Sequence, residues 1–370
     1  GYLCGSLTAR IGRCMLFKTK HKNEQQEKTM NKINVRNKIL FFVMIATFGL
    51  MPKAMLANGT KAVKAITGKH TRVVWIQDQD KSGSGASGKF KLMGFDSQDG
   101  KGERAILPDI DNYHKPLFTP DGKRIVFSNI DKNKNYVVNF DGSGLHELGN
   151  GQVADVWGDP KTGIVWLYVA YPFGDNQWRN VQRIQLDHPE KKESVWNKTE
   201  ITVDNFQLSR DGKYASGQFP WPHMGIANLV NGTWKKLGKG CWSSMAPDNS
   251  YLGWVFDGPH RNVTMTTLDG EKQWLVNING TPSIKVYEVY HPRWTNNVYY
   301  MTLTGPYMVG HRANKIRGGG QSVEIYLAKF NKTLTKIDYW AKVTENKRAD
   351  FYHDAWIEGG EKVAFAGLPK

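Results

Sequence analysis

At 370 residues, with 40% hydrophobic side chains, the chain can form one large domain or two average ones around a substantial core. It is rich in aromatics, with 13 Trp, 15 Tyr and 16 Phe, and 50 Lys+Arg against 34 Asp+Glu give a formal charge of +16. That excess admits an anionic ligand, but no basic run, zinc-finger spacing or other reader motif points to nucleic acid.

In chain order, residues 1–29 precede the first good start and are expected to be a non-native or misassigned extension. From Met30, "MNKINVRNKILFFVMIATFGLMPKAMLANG" has a basic start, an apolar run from Ile39 to Met51 and small residues near Ala57 and Gly59. That is the layout of a secretory signal peptide over 30–59, and the apolar run is short beside the roughly 20 residues a bilayer helix needs. The expectation is a periplasmic or secreted bacterial protein with no stable membrane span after cleavage. Cys4 and Cys14 would leave with the signal, so Cys241 would remain as a buried thiol with no disulfide partner. The mature chain would carry 40 basic and 32 acidic side chains, a charge of +8.

Past residue 69 the chain reads as short strands rich in Val, Ile, Tyr and Trp between Gly, Asp and Asn turns, with no convincing amphipathic helix. A repeat runs through it. "PLFTPDGKRIVFS" (116–128) is echoed by "DVWGDPKTGIVWLYV" (155–169), "FQLSRDGKYASGQF" (206–219), "SSMAPDNSYLGWVF" (243–256), "PRWTNNVYYMTL" (292–303) and "DAWIEGGEKVAFA" (354–366). Each is a strand, a tight turn and a second strand, and outer hairpins such as "YVVNFDGSGLHEL" (136–148) follow most copies. Turn centres near 121, 160, 211, 248, 296 and 359 recur at the period of propeller blades. The fold expected over 60–370 is a single all-β propeller of four-stranded antiparallel blades. It has six blades if the segment from His70 shares a blade with a last hairpin at 350–366, and seven if the two ends do not merge.

The pairing of "FTPDGKRIVFS" with "YVVNFDGSGLHEL" resembles the repeat of TolB-like β-propellers, over about residues 70–370. The resemblance implies the fold. Among enzymes of that fold the chain is also similar to oligogalacturonate lyases, which would imply a polysaccharide lyase with a His-held divalent metal such as Mn, Zn or Ca.

Proline-interrupted segments at 170–176, 218–225, 256–262 and 303–311 fall between second and third strands, where a loop over an open mouth needs stiffness and no ladder donor. Antiparallel connectivity brings them to the face where the inner strands begin, so Tyr171, Trp221, His223, His260, Tyr307, His311 and Arg312 are expected to ring that mouth. Counting back from each turn to one equivalent inner position yields Lys115, Ala154, Asn205, Trp242, His291 and His353. Imidazoles of His223, His260, His291 and His353 could converge there as metal ligands or bases, although no HxH or HExxH spacing supports a metal. Asn205, Trp221, Trp242, Tyr307 and Arg312 would bind ligand, with Trp221 and Trp242 as stacking platforms. Trp157, Trp254, Trp294 and Trp356 are expected to pack between blades. Asp257, Glu288 and Asp354 are the carboxylates nearest the mouth, and no spacing supports a two-carboxylate glycosidase. No nucleophile elbow occurs between strand and helix.

Three functions remain open. The first is an exported propeller binding a polar or anionic small molecule or glycan in the funnel. The second, implied by the resemblance to oligogalacturonate lyases, is a lyase on uronic-acid glycans, which would put a metal on His291, His353 and a loop histidine and make Lys115 or a free histidine the base. The third is a scaffold whose disc face binds a protein. Residues at an open mouth bury little area, so the double change His291→Ala, His353→Ala is expected to leave thermal unfolding almost unmoved.

Overall fold

The computed structural model describes residues 59–367 apart from 82–84, 86, 173–177, 282, 285–286 and 308–322. The segment 1–58, with Cys4, Cys14 and almost all of the expected signal, lies outside the described residues, as do His311 and Arg312. Among the described residues twenty-four strands build six four-stranded antiparallel sheets, each paired only between sequence neighbours except at one closure. Together they form a six-bladed β-propeller. The inner strands are β4 (Tyr113–Phe118), β8 (Gln152–Gly158), β12 (Gln207–Leu208), β16 (Cys241–Met245), β20 (Glu288–Trp294) and β24 (Asp350–Ile357).

The closing blade has the order β24, β1 (Thr71–Asp78), β2 (Phe90–Asp96), β3 (Arg104–Ala105), so the two ends of the ring share one sheet. Val73 pairs with Ala355 and Ile76 with Phe351. One detail differs from the expectation: 361–366 is not the second strand of a hairpin. β1 already occupies the free edge of β24, so the chain after Ile357 makes a short 3-10 turn at Gly360–Lys362 and runs on without a ladder.

Inner strands are buried on both faces because neighbouring blades pack face to face. All six residues of β4 are buried, whereas the outermost strand His188–Trp196 is mostly exposed. Among the described residues, Trp75, Trp196, Trp254, Trp294, Tyr168, Tyr307 and Tyr326 are the largest fully buried side chains. Before the first strand, helix α1 (Gly59–Thr67) lays Ala62 and Val63 on the core beside Ile325 and Ile357. No helix among the described residues is long and apolar enough to cross a membrane.

Two seams carry the same device. In "DVW" (155–157), Asp155 Oδ2 accepts the Leu208 amide (2.8 Å) and Trp157 Nε1 donates to the Arg210 carbonyl (2.8 Å) of the next blade. In "DAW" (354–356), Asp354 Oδ2 accepts the Phe118 amide (2.9 Å) and Trp356 Nε1 donates to the Pro120 carbonyl (2.9 Å). Each indole lies on the turn glycine of the next blade. A Cβ at Gly122 would sit 2.3 Å from Trp356 and one at Gly212 2.6 Å from Trp157, and both glycines have φ of +68°.

Candidate functional site: the axial cavity

At one end of the disc the inner strands begin, beside the turns joining second to third strands: Tyr113 pairs with Asn129, which pairs with Lys134. There the register of the inner strand slips in β4, β8, β16, β20 and β24, each a β-bulge. In four of these bulges a non-glycine residue is left-handed: Lys115 (φ 47°), Trp242 (45°), His291 (54°) and Tyr352 (42°). Each costs roughly 1–2 kcal/mol relative to an ordinary conformation. All four line one axial cavity, where the bulges turn their side chains toward the axis. By this register Tyr352, not His353, is the partner of His291, and His353 stands one place further on, level with Ser243 and Pro292.

The cavity wall is a run of rings. Centroids of Trp242 and His291 are 4.4 Å apart, of His291 and Tyr352 4.5 Å, and of His114 and Tyr352 4.4 Å. The floor is ionic: Arg293 Nη2 meets Asp155 Oδ1 at 3.1 Å and Nε meets Asp354 Oδ1 at 3.3 Å. Beyond it, towards the tight turns, a second chamber of about 150 Å³ shares Leu117 and Arg293 with the first.

Hydrogen-bond direction sets what the cavity offers. Thr304 Oγ1 gives its proton to the Tyr290 carbonyl (3.1 Å), so it accepts from His291 Nδ1 (3.3 Å). In the neutral ring this leaves His291 Nε2 as a bare lone pair. His353 Nδ1 meets Thr302 Oγ1 at 2.8 Å, and Thr302 Oγ1 points at the Arg293 carbonyl at 3.5 Å, the same arrangement with a looser second bond. Both rings are neutral at pH 7. Burial drives His291 well below the ordinary imidazole range, with His353 and His114 adding to the effect, and burial beside Arg293 takes His353 to about 3. Nε2 of both histidines, Trp242 Nε1 and Ser243 Oγ are buried without a hydrogen-bond partner among the described residues. Two acceptors, one donor and one hydroxyl therefore lie unsatisfied around one space, at a cost that a ligand's polar groups would relieve. The cavity volume is about 30 Å³, which is roughly 2 or 3 waters or one polar edge of a larger molecule.

Lys115 is tied down rather than free. Its Nζ donates to the carbonyls of Ala154 and Val203, on the next two blades. Burial and the like charge of Arg293 lower its ammonium, against the pull of Asp204, Asp155 and Asp354, to about 7. Asp204 moves the opposite way, raised by burial against the pull of Lys115 and Arg293, and faces His114 Nε2 at 3.4 Å.

The other expected residues lie elsewhere. His260 is fully buried between blades, with Nδ1 3.2 Å from Glu288; burial opposes its charge, but hydrogen bonds to Cys241 and Glu288 raise its proton affinity. His223 is half-buried at the start of an outer strand, lowered by partial burial and by Lys236 and Lys239. Trp221 is half-buried in the turn 219–222. Tyr307 is not at a mouth: it packs in the core 4.5 Å from Tyr290, and burial raises its phenol. Asn205 turns its Nδ2 to Gln218 Oε1 at 3.0 Å. Arg312 lies outside the described residues.

This placement bears on the metal. Lone pairs of His291 and His353 are the kind of donor Zn or Mn accepts, but the third imidazole, His114, faces Asp204. No group of three or more His, Cys, Asp or Glu among the described residues could hold a metal ion. Two nitrogens fall short of the four to eight ligands such cations take, and Ca would need oxygen donors. The described residues do not fit a His-held cation.

Ser243, Arg293 and Tyr352 line the cavity, and His114 packs against the Tyr352 ring beside it, yet none of the four was singled out by the sequence. A signal existed in the dipeptide Tyr-His at 113–114, 290–291 and 352–353, which opens three inner strands.

No family model and no curated protein matches the chain. Among solved structures, TolB from Acinetobacter baumannii is 13% identical over 57% of this chain and 65% of its own, with a TM-score of 0.33. An oligogalacturonate lyase in complex with manganese is 14% identical over 58% of this chain and 61% of its own, at 0.37. A chain of a nidogen/laminin complex is 7% identical over 78% of this chain and 98% of its own, at 0.50. The chain thus spans less than two thirds of that TolB and of that lyase, and the likeness extends to the propeller fold alone.

Proposed function

We propose that the chain is an exported propeller that binds a polar, hydroxyl-bearing ligand of the carbohydrate class by seating one polar edge in the axial cavity. The observation that carries this reading is the coincidence of four left-handed, non-glycine residues on four different inner strands around one small space. Strain of this kind persists where the fold over-determines it, and it concentrates at binding sites. Bare Nε2 lone pairs on His291 and His353 suit ligand hydroxyls, and Trp242 Nε1 and Ser243 Oγ suit a ring oxygen or a carboxylate. Hydroxyl recognition is therefore better supported than the recognition of charge alone. Export rests on the segment 30–59.

The test is calorimetric titration of neutral and acidic mono- and oligosaccharides against wild type, Trp242→Phe and the pair His291→Ala, His353→Ala. Trp242→Phe removes one donor and keeps the ring, so a loss of about tenfold in affinity is expected for a bound sugar. Both histidines are buried to 3–4% exposure, so the pair is expected to lower stability by about 1–3 kcal/mol as well as to abolish binding. The burial corrects the expectation that thermal unfolding would hardly move. Binding left unchanged in both variants would remove the cavity from the site.

A second reading, a lyase, rests on the two neutral imidazole lone pairs that lie in the cavity unpartnered among the described residues; the burial that keeps His291 neutral also makes it a weaker base. His291 Nε2 would take the proton α to a uronate carboxylate, the electron pair left on that carbon would form the double bond as the β C–O bond breaks, and the departing oxygen would take the proton back from the His291 imidazolium. Ultraviolet absorbance of the new conjugated double bond tests it. The bonds from Lys115 Nζ to two carbonyls argue for that residue as a seam pin rather than the base.

A further inference from the structure

The chain after β24 crosses the face of the disc opposite the axial cavity. Counting the closing blade as the first and the others in chain order, it leaves the first blade at Glu358, bonded to the His70 carbonyl, turns at Gly359 and passes Gly360 against Asn296 of the sixth blade. Arg210 Nη2 of the fourth blade then donates to the Val363 carbonyl at 2.6 Å. Asp248 Oδ2 of the fifth accepts the Phe365 amide at 2.6 Å, and Tyr299 Oη the Ala366 amide at 3.4 Å. Val363 and Phe365 are half-buried on the core, whereas Lys362, Ala364 and Ala366 are exposed. Glu361 borders the 150 Å³ chamber.

Every one of these anchors reads backbone. Arg210 and Asp248 hold a carbonyl and an amide two residues apart, and side-chain choice enters only through two apolar groups at alternate positions. Such a seat accepts any extended segment with that alternation, as strand-addition sites do. The resident segment has no ladder: across Val363–Ala366 it is held to the other blades by three hydrogen bonds, from Arg210 and to the buried Asp248 and Tyr299, and by two half-buried side chains, against the continuous pairing of β24.

We propose that 358–367 is a displaceable strap, and that the surface beneath it, anchored by Arg210 and Asp248, is a docking site for an extended segment of a partner protein carrying apolar side chains two residues apart. The strap covers the site until the partner segment replaces it.

The probe is a fluorescein-labelled peptide of residues 359–367, titrated by anisotropy into the full chain and into its Phe365→Asp variant, which unseats the strap. At least tenfold tighter binding to the variant is expected, with a return to the wild-type value when Arg210→Gln is added. Equal binding to wild type and variant would overturn the proposal. A concentration-dependent dimer of the variant would also overturn it, by assigning the surface to a second copy of the chain. Amide exchange on the unmodified protein is an independent arm that does not depend on the variant folding. Phe365 and Ala366 amides are expected to open at least a hundredfold more often than those of β24, and equal protection would make 358–367 an integral part of the disc.

Discussion

Glu324 ties the ionisation of one residue to the stability of the ring. It is 3% exposed, and accepts hydrogen bonds from Thr344 Oγ1 (2.6 Å) and the Asn346 amide (3.0 Å). Burial raises its carboxyl to about 7, opposed by those bonds and by Lys342 and assisted by the charge of Glu103. Asp350, fully buried and facing Glu324, is raised well above the ordinary carboxylate range, first by burial and then by that neighbour. A folded value above the unfolded one means that the folded state holds the proton more tightly. The contribution is therefore complete below about pH 4.5 and is lost as the pH rises through about 7, an effect of order 2–3 kcal/mol. Glu324→Gln is expected to remove most of that decline, so urea unfolding at pH 5 and pH 8 should differ less in the variant than in wild type. A pH slope identical in both proteins would show that Glu324 ionises freely. Single residues were also where sequence reading was weakest. The three Tyr-His dipeptides look equivalent in sequence, yet the histidine falls before, at and after the left-handed position in β4, β20 and β24. Bulge register depends on the partner strand, and a one-residue slip re-aims the side chain.

At the level of elements, the Asp-x-Trp staples join one blade to the next without covalent help. They explain why the expectation of packing for Trp157 and Trp356 is incomplete: each indole also closes a hydrogen bond across a seam. Trp157→Phe and Trp356→Phe keep most of the apolar surface and delete the donor, so each is expected to cost about 1–2 kcal/mol in urea unfolding. The two indoles grip different turns, so a departure from additivity beyond about 0.5 kcal/mol would report coupling through Arg293, which the aspartates of both staples share. If neither variant moves the midpoint, the indoles act by packing alone. The turns these staples grip, Thr-Pro-Asp-Gly and Ser-Arg-Asp-Gly, were legible in the sequence because Asp-Gly turns have local chemistry. Their grip was not, because it spans 236 residues for Trp356 and Pro120.

For the whole molecule the decisive element is closure. β24 pairs with β1 across the length of the chain, and Asn296 locks it from the sixth blade by taking the Ile357 amide (2.8 Å) and donating to its carbonyl (2.9 Å). A chain stopped after Thr344 would lack β24, leaving the buried edge of β1 and the axial core open. Such a chain is expected to lose near-ultraviolet dichroism and cooperative unfolding and to bind a hydrophobic dye. Retention of a sharp transition would show that five blades and an open sixth can stand alone.

Strand content, the turn chemistry and the four-stranded repeat were settled by the sequence itself, whereas the choice of six blades over seven came only with the pairing of β24 and β1. The first three depend on local propensity or on a pattern that recurs every few tens of residues. The face on which the inner strands begin followed from the same pattern, since antiparallel connectivity alone decides it. Which side chains meet there was decided only by tertiary structure. His260 left the mouth for Glu288, Tyr307 for the core, and Arg293 arrived from an unremarked position because Asp155 and Asp354, on two other blades, wait on the axis. Those choices belong to burial and ion pairing between blades that are remote in sequence, and no local pattern carries them.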